Sequence, residues 1–503
     1  MKRFLTILFT TLLLTAALCV TASASDYDAV AEELSAIGMF RGTGSGFELD
    51  RAPTRSEAAI MLVRLYGAED DAKAAYASGE IKHPFTDVSS TAAPYVAWMY
   101  TNGISKGATA TTFGSASKCT AQNYVVFLLR ALGYKDGTDF QYAEALDFAV
   151  TKGLMDLSFY TGEFLRDDLA AVTYQALACK LADGSTYLLD SLVKSGAIDE
   201  TAARPIISKY ETYEALVSST MGAMQDSLDV DVAMKMDMDM TGKGTADGEP
   251  MDMTANVDVT AKGRVQMILD KNLQMGLQLD MSMDMDMKEA GGQSMMTMSQ
   301  PISMGVWVKD NWVYVQQGEE LYKADMGDSM DEFLGIYQEM LAQMNDLGGA
   351  STAMMMPYIE SISATKSGGS TVYTMTLNGD TYTGMVDDLL DMIFSSLDEE
   401  IGLALDLDLS KCGYTYTVDS RGQLKNAAAS MSMTMKMDMS EAGESASVNV
   451  AADVDMEMKV NATGSGVKVS YPDLSKFPDI ETIIQAEPEL SPAPPSVNAV
   501  NPA

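Results

Sequence analysis

The chain has 503 residues, 47% hydrophobic and 21% charged, the balance of folded protein rather than of disorder. Asp and Glu number 71 against 34 Lys and Arg, a net charge of -37, which sets the chain against nucleic acid and anionic lipid as partners. Its single histidine, His83, excludes multi-histidine metal sites and leaves a Ser-His-Asp or Cys-His hydrolase only that residue to use.

Residues 1–24 read as a secretory signal peptide. Lys2 and Arg3 supply the positive start, Phe4 to Val20 the apolar run, and Ala22-Ser23-Ala24 a small-residue cleavage site. The run is shorter than the roughly 20 residues of a membrane span, and no later segment is long and apolar enough to be one. Leu18 before Cys19 is bulky where a lipidated cysteine follows a small residue. The cysteines left after cleavage are Cys119, Cys179 and Cys412. Their odd number leaves a thiol unpaired, and their spacing fits no metal motif, so they read as small buried hydrophobes.

Residues 26–200 carry helix-period patterns. In 58–66 the apolar positions recur at i, i+3, i+4 and i+7. Thr54 stands at an N-cap position with Glu57 three residues on, a capping box. The first unit begins Gly38-Met39-Phe40-Arg41-Gly42 and continues through Phe47. The second reads Gly103-Ile104-Ser105-Lys106-Gly107, Phe113, Thr120, then Val125 to Leu132. The third reads Gly153-Leu154-Met155-Asp156, Phe164 to Ala170, then Tyr174 to Leu177. Helix, glycine-rich turn, short extended piece, N-cap and helix recur at about 45–65 residues, the signature of a repeat module.

Thr54-Arg55-Ser56-Glu57 and Phe85-Thr86-Asp87-Val88 with Gly103-Ile104 resemble the S-layer homology (SLH) domain. Its pattern runs F-x-D-V, helix, G-I-x-x-G, F, then T-R-x-E and a second helix. The resemblance implies three repeats, about 26–67, 85–134 and 138–182, within a domain of 25–205 folded as a pseudo-threefold all-α bundle. It also implies non-covalent anchoring to secondary cell-wall polysaccharide, often pyruvylated, through Thr54, Arg55, Glu57, Asp87 and Arg166. The repeats depart from the pattern. Repeat one lacks F-x-D-V, repeat two has Ala121 in place of arginine, and repeat three keeps Arg166 and an acid but loses threonine. The chemistry suits a pyruvyl carboxylate, since a guanidinium fork binds carboxylates and a helix N-terminus adds donors and partial positive charge. The competing expectation is that Thr54 and Glu57 only cap a helix while Arg55 pairs with a surface acid.

Of the 40 methionines, thirty-five lie from Met221 onward, marking a second module over 206–475. There the period is two, as in Met234-Lys235-Met236-Asp237-Met238-Asp239-Met240 and Met251 to Val259. Strict alternation predicts antiparallel strands with an apolar and an acidic face. Turns are expected at 242–244, 291–292 and 378–379, and helices at about 330–347 and 384–397. The patterning resembles lipoprotein-carrier-like half-barrels, which implies a greasy cavity for lipid or another apolar ligand. Residues 476–503, rich in Pro and Ala toward the end, are expected to form a disordered tail.

The expected fold class is thus α+β multidomain, a helical bundle followed by a methionine-rich antiparallel sheet with packed helices. The expected function is wall anchoring at the cell surface, with a carrier or sensor of apolar ligand as the alternative. Acidic residues are abundant and no segment singles out a catalytic pair, so no enzyme activity is expected. No metal or cofactor is expected: the thioethers are spread along whole strands, and no twelve-residue calcium loop accompanies the Asp ladders.

Overall fold

The computed structural model describes residues 27–42, 44–154, 163–221, 227–246, 249–269, 273–289, 291–327, 348–379, 402–441 and 444–480. The signal peptide, the helices expected at 330–347 and 384–397, and the chain from 481 onward lie outside the described residues.

The N-terminal half is helical. Its helices are α1 (Asp28–Ala36), α2 (Arg55–Leu65), α3 (Glu69–Ser78), α4 (Ala93–Thr101), α5 (Ala121–Ala131), α6 (Ala145–Thr151), α7 (Arg166–Leu177), α8 (Leu188–Lys194) and α9 (Glu200–Met221). Every residue of α5 from Tyr124 to Leu129 is buried. So is every residue of α7 from Leu169 to Leu177, Thr173 and Gln175 included. Helices apolar all round belong in the centre of a core, and the two are joined there by the Tyr124 hydroxyl against Thr173 Oγ1 at 2.7 Å. The boundary expected at 205 falls inside α9, which runs on for 22 residues in all. In the last part of that helix Tyr213 and Leu216 pack on Val230, Val418 and Val460 of the sheet, so the helix ties the two halves together.

The second half is a single open antiparallel sheet of eleven strands in the order β6-β5-β4-β3-β2-β1-β11-β10-β9-β8-β7. Its strands are β1 (Ser227–Ala246), β2 (Glu249–Ile268), β3 (Gln274–Glu289), β4 (Ser294–Lys309), β5 (Trp312–Gln317), β6 (Glu320–Asp325), β7 (Ile359–Ser367), β8 (Ser370–Leu377), β9 (Gly402–Val418), β10 (Leu424–Glu441) and β11 (Glu444–Thr463). The glycines at 242 and 244 are not a turn; they lie within β1, opposite Met253 and Met251. Both strands keep pairing past them as far as Ala246 and Glu249.

Alternation sorts the side chains as expected. Met236, Met238 and Met240 are buried with Met283, Met285, Met431 and Val454 on one face. On the other, Asp284, Asp258, Asp237 and Asp453 stand on one rung across four adjacent strands. The short helix α10 (Gly348–Met355) and the turn after it carry Ala353 and Met356 into the core of the helical half. There the Tyr27 and Tyr358 hydroxyls lie 3.3 Å apart. Packing continues past the boundary expected at 475. Phe477 is buried, with its ring 5.9 Å from Trp307 and 5.6 Å from Tyr314. Lys323 N donates to Pro478 O at 2.9 Å, which covers part of the β6 edge.

Candidate functional site

The N-terminus of α2 lies against the loop that precedes α5. Thr54 is extended, its hydroxyl accepts the Glu57 N–H at 3.3 Å, and Glu57 Oε2 accepts the Thr54 N–H at 2.7 Å. The Arg55 and Ser56 N–H groups donate to Ser117 O at 2.8 Å and Ser115 O at 3.3 Å. The first-turn donors expected to meet a ligand are therefore already taken. What remains is the Arg55 side chain itself.

Its guanidinium carbon lies 5.1 Å from the centre of the Phe113 ring, within cation–π range. Nη2 stands 3.5 Å from Ser105 Oγ, at the limit of a hydrogen bond. Arg55 Nε is buried without a partner, as are the hydroxyls of Ser56 and Ser115. Among the described residues no carboxylate pairs with Arg55. Buried donors without acceptors are costly.

Asp87 ties down the loop that carries Phe113 beneath the Arg55 guanidinium. Its carboxylate accepts the N–H groups of Phe113 at 2.7 Å, Gly114 at 2.7 Å and Ser115 at 3.1 Å. These bonds, Phe113's foremost, hold the Asp87 carboxyl below its ordinary range. Gly107 closes the other side with φ +83°, and a Cβ there would stand 2.3 Å from the Phe85 ring, so only glycine fits.

Glu57 is consumed by the fold. It takes Arg51 Nη2 at 2.6 Å and Arg166 Nη1 at 2.9 Å besides the Thr54 cap. Burial pushes its pKa up, but the Arg51 and Thr54 hydrogen bonds and the Arg166 charge outweigh that and hold it at about 2. Asp168 occupies the same place on α7 and, among the described residues, accepts the Leu165 N–H at 2.6 Å and has no cation beside it. There burial dominates and the pKa rises to about 6.

Arg166, expected to serve a partial second groove, is turned inward. It is 4% exposed, donates from Nε to Phe47 O at 2.9 Å and from Nη1 to Glu57, and sits 4.9 Å over the Phe40 ring. Desolvation lowers its pKa. It is a cross-brace between the first and third repeats, paired with Glu57 rather than left for a ligand. In the second repeat Thr120 caps Asn123 N–H at 3.3 Å, and Ala121 offers no cation.

Thr54, Glu57, Asp87 and Arg166 are thus each engaged by the fold, and Arg55 alone among the five keeps a donor, Nε, without a partner. Sequence reasoning missed Arg51, Ser56, Ser105 and Ser115. The serines carry no periodic or charge signal, and Arg51 reaches Glu57 from six residues upstream, a spacing that no helix or strand period marks.

On the apolar face of the sheet a trough of about 450 Å³ is lined almost wholly by carbon. Ala261, Ala427 and Ala429 leave room between Met281 on one side and Tyr414 and Tyr416 on the other. Among the described residues no cluster of three His, Cys, Asp or Glu could hold a metal, and no helix is long and apolar enough to cross a membrane.

Residues 84–119 match the family described as S-layer homology domain. A "Cell surface protein" of Thermoanaerobacter kivui is 31% identical over 180 residues, 34% of this chain and 23% of that protein. A "Middle cell wall protein" of Brevibacillus brevis (strain 47 / JCM 6285 / NBRC 100599) is 32% identical over 114 residues, 22% of this chain and 10% of that protein. The chain therefore spans less than a quarter of the length of either relative. A crystal structure of an outer membrane channel from Pseudomonas putida F1 aligns with 47% of this chain and 97% of that one at 10% identity, but its TM-score of 0.13 carries no argument.

Proposed function

We propose that the chain is a wall-associated surface protein whose helical half holds secondary cell-wall polysaccharide in the Arg55 groove. The three repeats would meet around a pseudo-threefold axis and display the sheet away from the wall. The observation that carries this reading is a guanidinium laid over an aromatic ring, with buried unused donors at Arg55 Nε, Ser56 and Ser115. An acidic sugar substituent such as a pyruvyl ketal suits this guanidinium: its carboxylate would meet the arginine fork above the Phe113 ring. The match over 84–119 and the surface-protein relatives favour the same assignment.

Sedimentation with purified wall sacculi, before and after removal of the secondary polymer, tests it. Full-length protein is expected to pellet with intact sacculi and stay in solution with stripped ones. Arg55→Gln is expected to weaken pelleting by about tenfold or more, the worth of a charge-assisted hydrogen bond. Unchanged pelleting by that variant refutes the site.

The trough supports a second reading, in which the sheet carries an apolar ligand among adaptable methionine side chains. Native mass spectrometry after incubation with a bacterial lipid extract tests it; no retained mass removes it.

A further inference from the structure

The only histidine of the chain stands directly behind the Arg55 groove. The His83 ring lies between two aromatic rings, nearly parallel to both, 6.3 Å from Tyr76 of α3 and 5.6 Å from Phe85. Its Nδ1 accepts the Phe85 N–H at 3.2 Å. An acceptor nitrogen carries no proton, so the neutral ring bears its hydrogen on Nε2. Phe85 then makes the groove. Its ring is 5.7 Å from Phe113, which lies under Arg55, and it fills the space that a Gly107 side chain would need. Two residues on, Asp87 ties down Phe113, Gly114 and Ser115.

Resting on the wall-anchoring reading, we infer that His83 makes the Arg55 groove pH-responsive: the neutral ring holds it formed, and the imidazolium loosens it. Protonation places a hydrogen on Nδ1 facing the Phe85 N–H, donor against donor, and the backbone at Phe85 must move. The groups around the ring set where this happens. Burial disfavours the cation, Asp87 from the same loop favours it, and Tyr76 supplies a phenol from α3. Tyr100 of α4 reaches Phe85 edge-on rather than the imidazole. Burial prevails and holds the ring's pKa below the ordinary histidine value, which favours the neutral form.

The test uses the full chain at pH 7.5 and about pH 5, either side of an ordinary histidine titration. Pelleting with sacculi is expected to weaken about fivefold on acidification, the worth of one neutral hydrogen bond. His83→Asn keeps an acceptor oxygen in the place of Nδ1 and does not titrate, so its pelleting is expected to stay constant. A second readout needs no wall. In [15N]glycine-labelled protein the amide signals of Gly107 and Gly114 are expected to shift with the His83 titration and to stay still in His83→Asn. Still signals in the wild type, or equal acid sensitivity in both proteins, overturn the inference. Tracking signals in a protein that never pellets overturn the wall reading and leave the coupling standing.

Discussion

Arg55 and Arg166 hold the same position in two repeats and are expected to fail differently when replaced. Arg166→Met removes a charge-assisted hydrogen bond to Glu57, a hydrogen bond to Phe47 O and a cation–π contact with Phe40, all in a site 4% exposed. Taking about 1.5–3 kcal/mol for the first and about 1 for each of the others, less the greasy packing that methionine retains, the loss is about 3 kcal/mol. That agrees with the cost of breaking a buried pair on one side. At roughly 2–4 °C per kcal/mol for a unit of this size, the bundle's unfolding midpoint falls by about 10 °C. Arg55→Gln removes no ion pair, only a partly exposed cation–π contact and a long hydrogen bond to Ser105, so its midpoint is expected to stay within about 2 °C. Calorimetry of the full chains, with the helical dichroism signal assigning the transition, measures both. A midpoint for Arg166→Met within about 2 °C of the wild type would show that the brace carries no load.

Four further outcomes are expected. Glu57 has its pKa depressed from an ordinary 4.5 to about 2, so the stability it contributes is complete above pH 4.5 and lost as pH falls toward 2. Melting midpoints across that range are expected to fall in the wild type and to be flatter in Glu57→Gln, which starts lower. Asp258 is raised by the carboxylate it shares a hydrogen bond with, Asp237, so its charge opposes folding as pH rises. Asp258→Asn is expected to raise the urea midpoint of the sheet at neutral pH, by less in high salt. Phe477→Ala is expected to destabilise the β4–β6 corner by about 3 kcal/mol and to expose it to limited proteolysis. The thiols of Cys119, Cys179 and Cys412 are buried, with pKa pushed up to about 12, 12 and 11. They are expected to react with a disulfide reagent only after denaturant is added.

Local rules carried the reading of the sequence a long way. The capping box at Thr54 and Glu57 formed as its spacing predicts, because both partners lie within one helical turn. The alternating methionines formed strands because period two puts every other side chain on one face. Long-range facts were not legible. Nothing local distinguishes Arg55, which faces a groove, from Arg166, which faces a carboxylate; the difference is which loop packs across the helix start. Helix α3 escaped notice because its run of Glu69, Asp70, Asp71 and alanines buries only Ala72. The glycines at 242 and 244 looked like a turn because glycine breaks strands in isolation, yet a partner strand held them extended.

The middle of the sheet has one consequence for biosynthesis. Strand β1, the first of the sheet to be synthesised, finds one neighbour within a hairpin but waits for its other, β11, until some two hundred more residues have followed. Such non-local closure is slow. Until it occurs, two half-built meanders would each present a bare edge rich in methionine and aspartate. The carboxylates spaced along that edge repel a second copy of themselves, so the charge that is a burden on the finished rung would keep newly made chains apart.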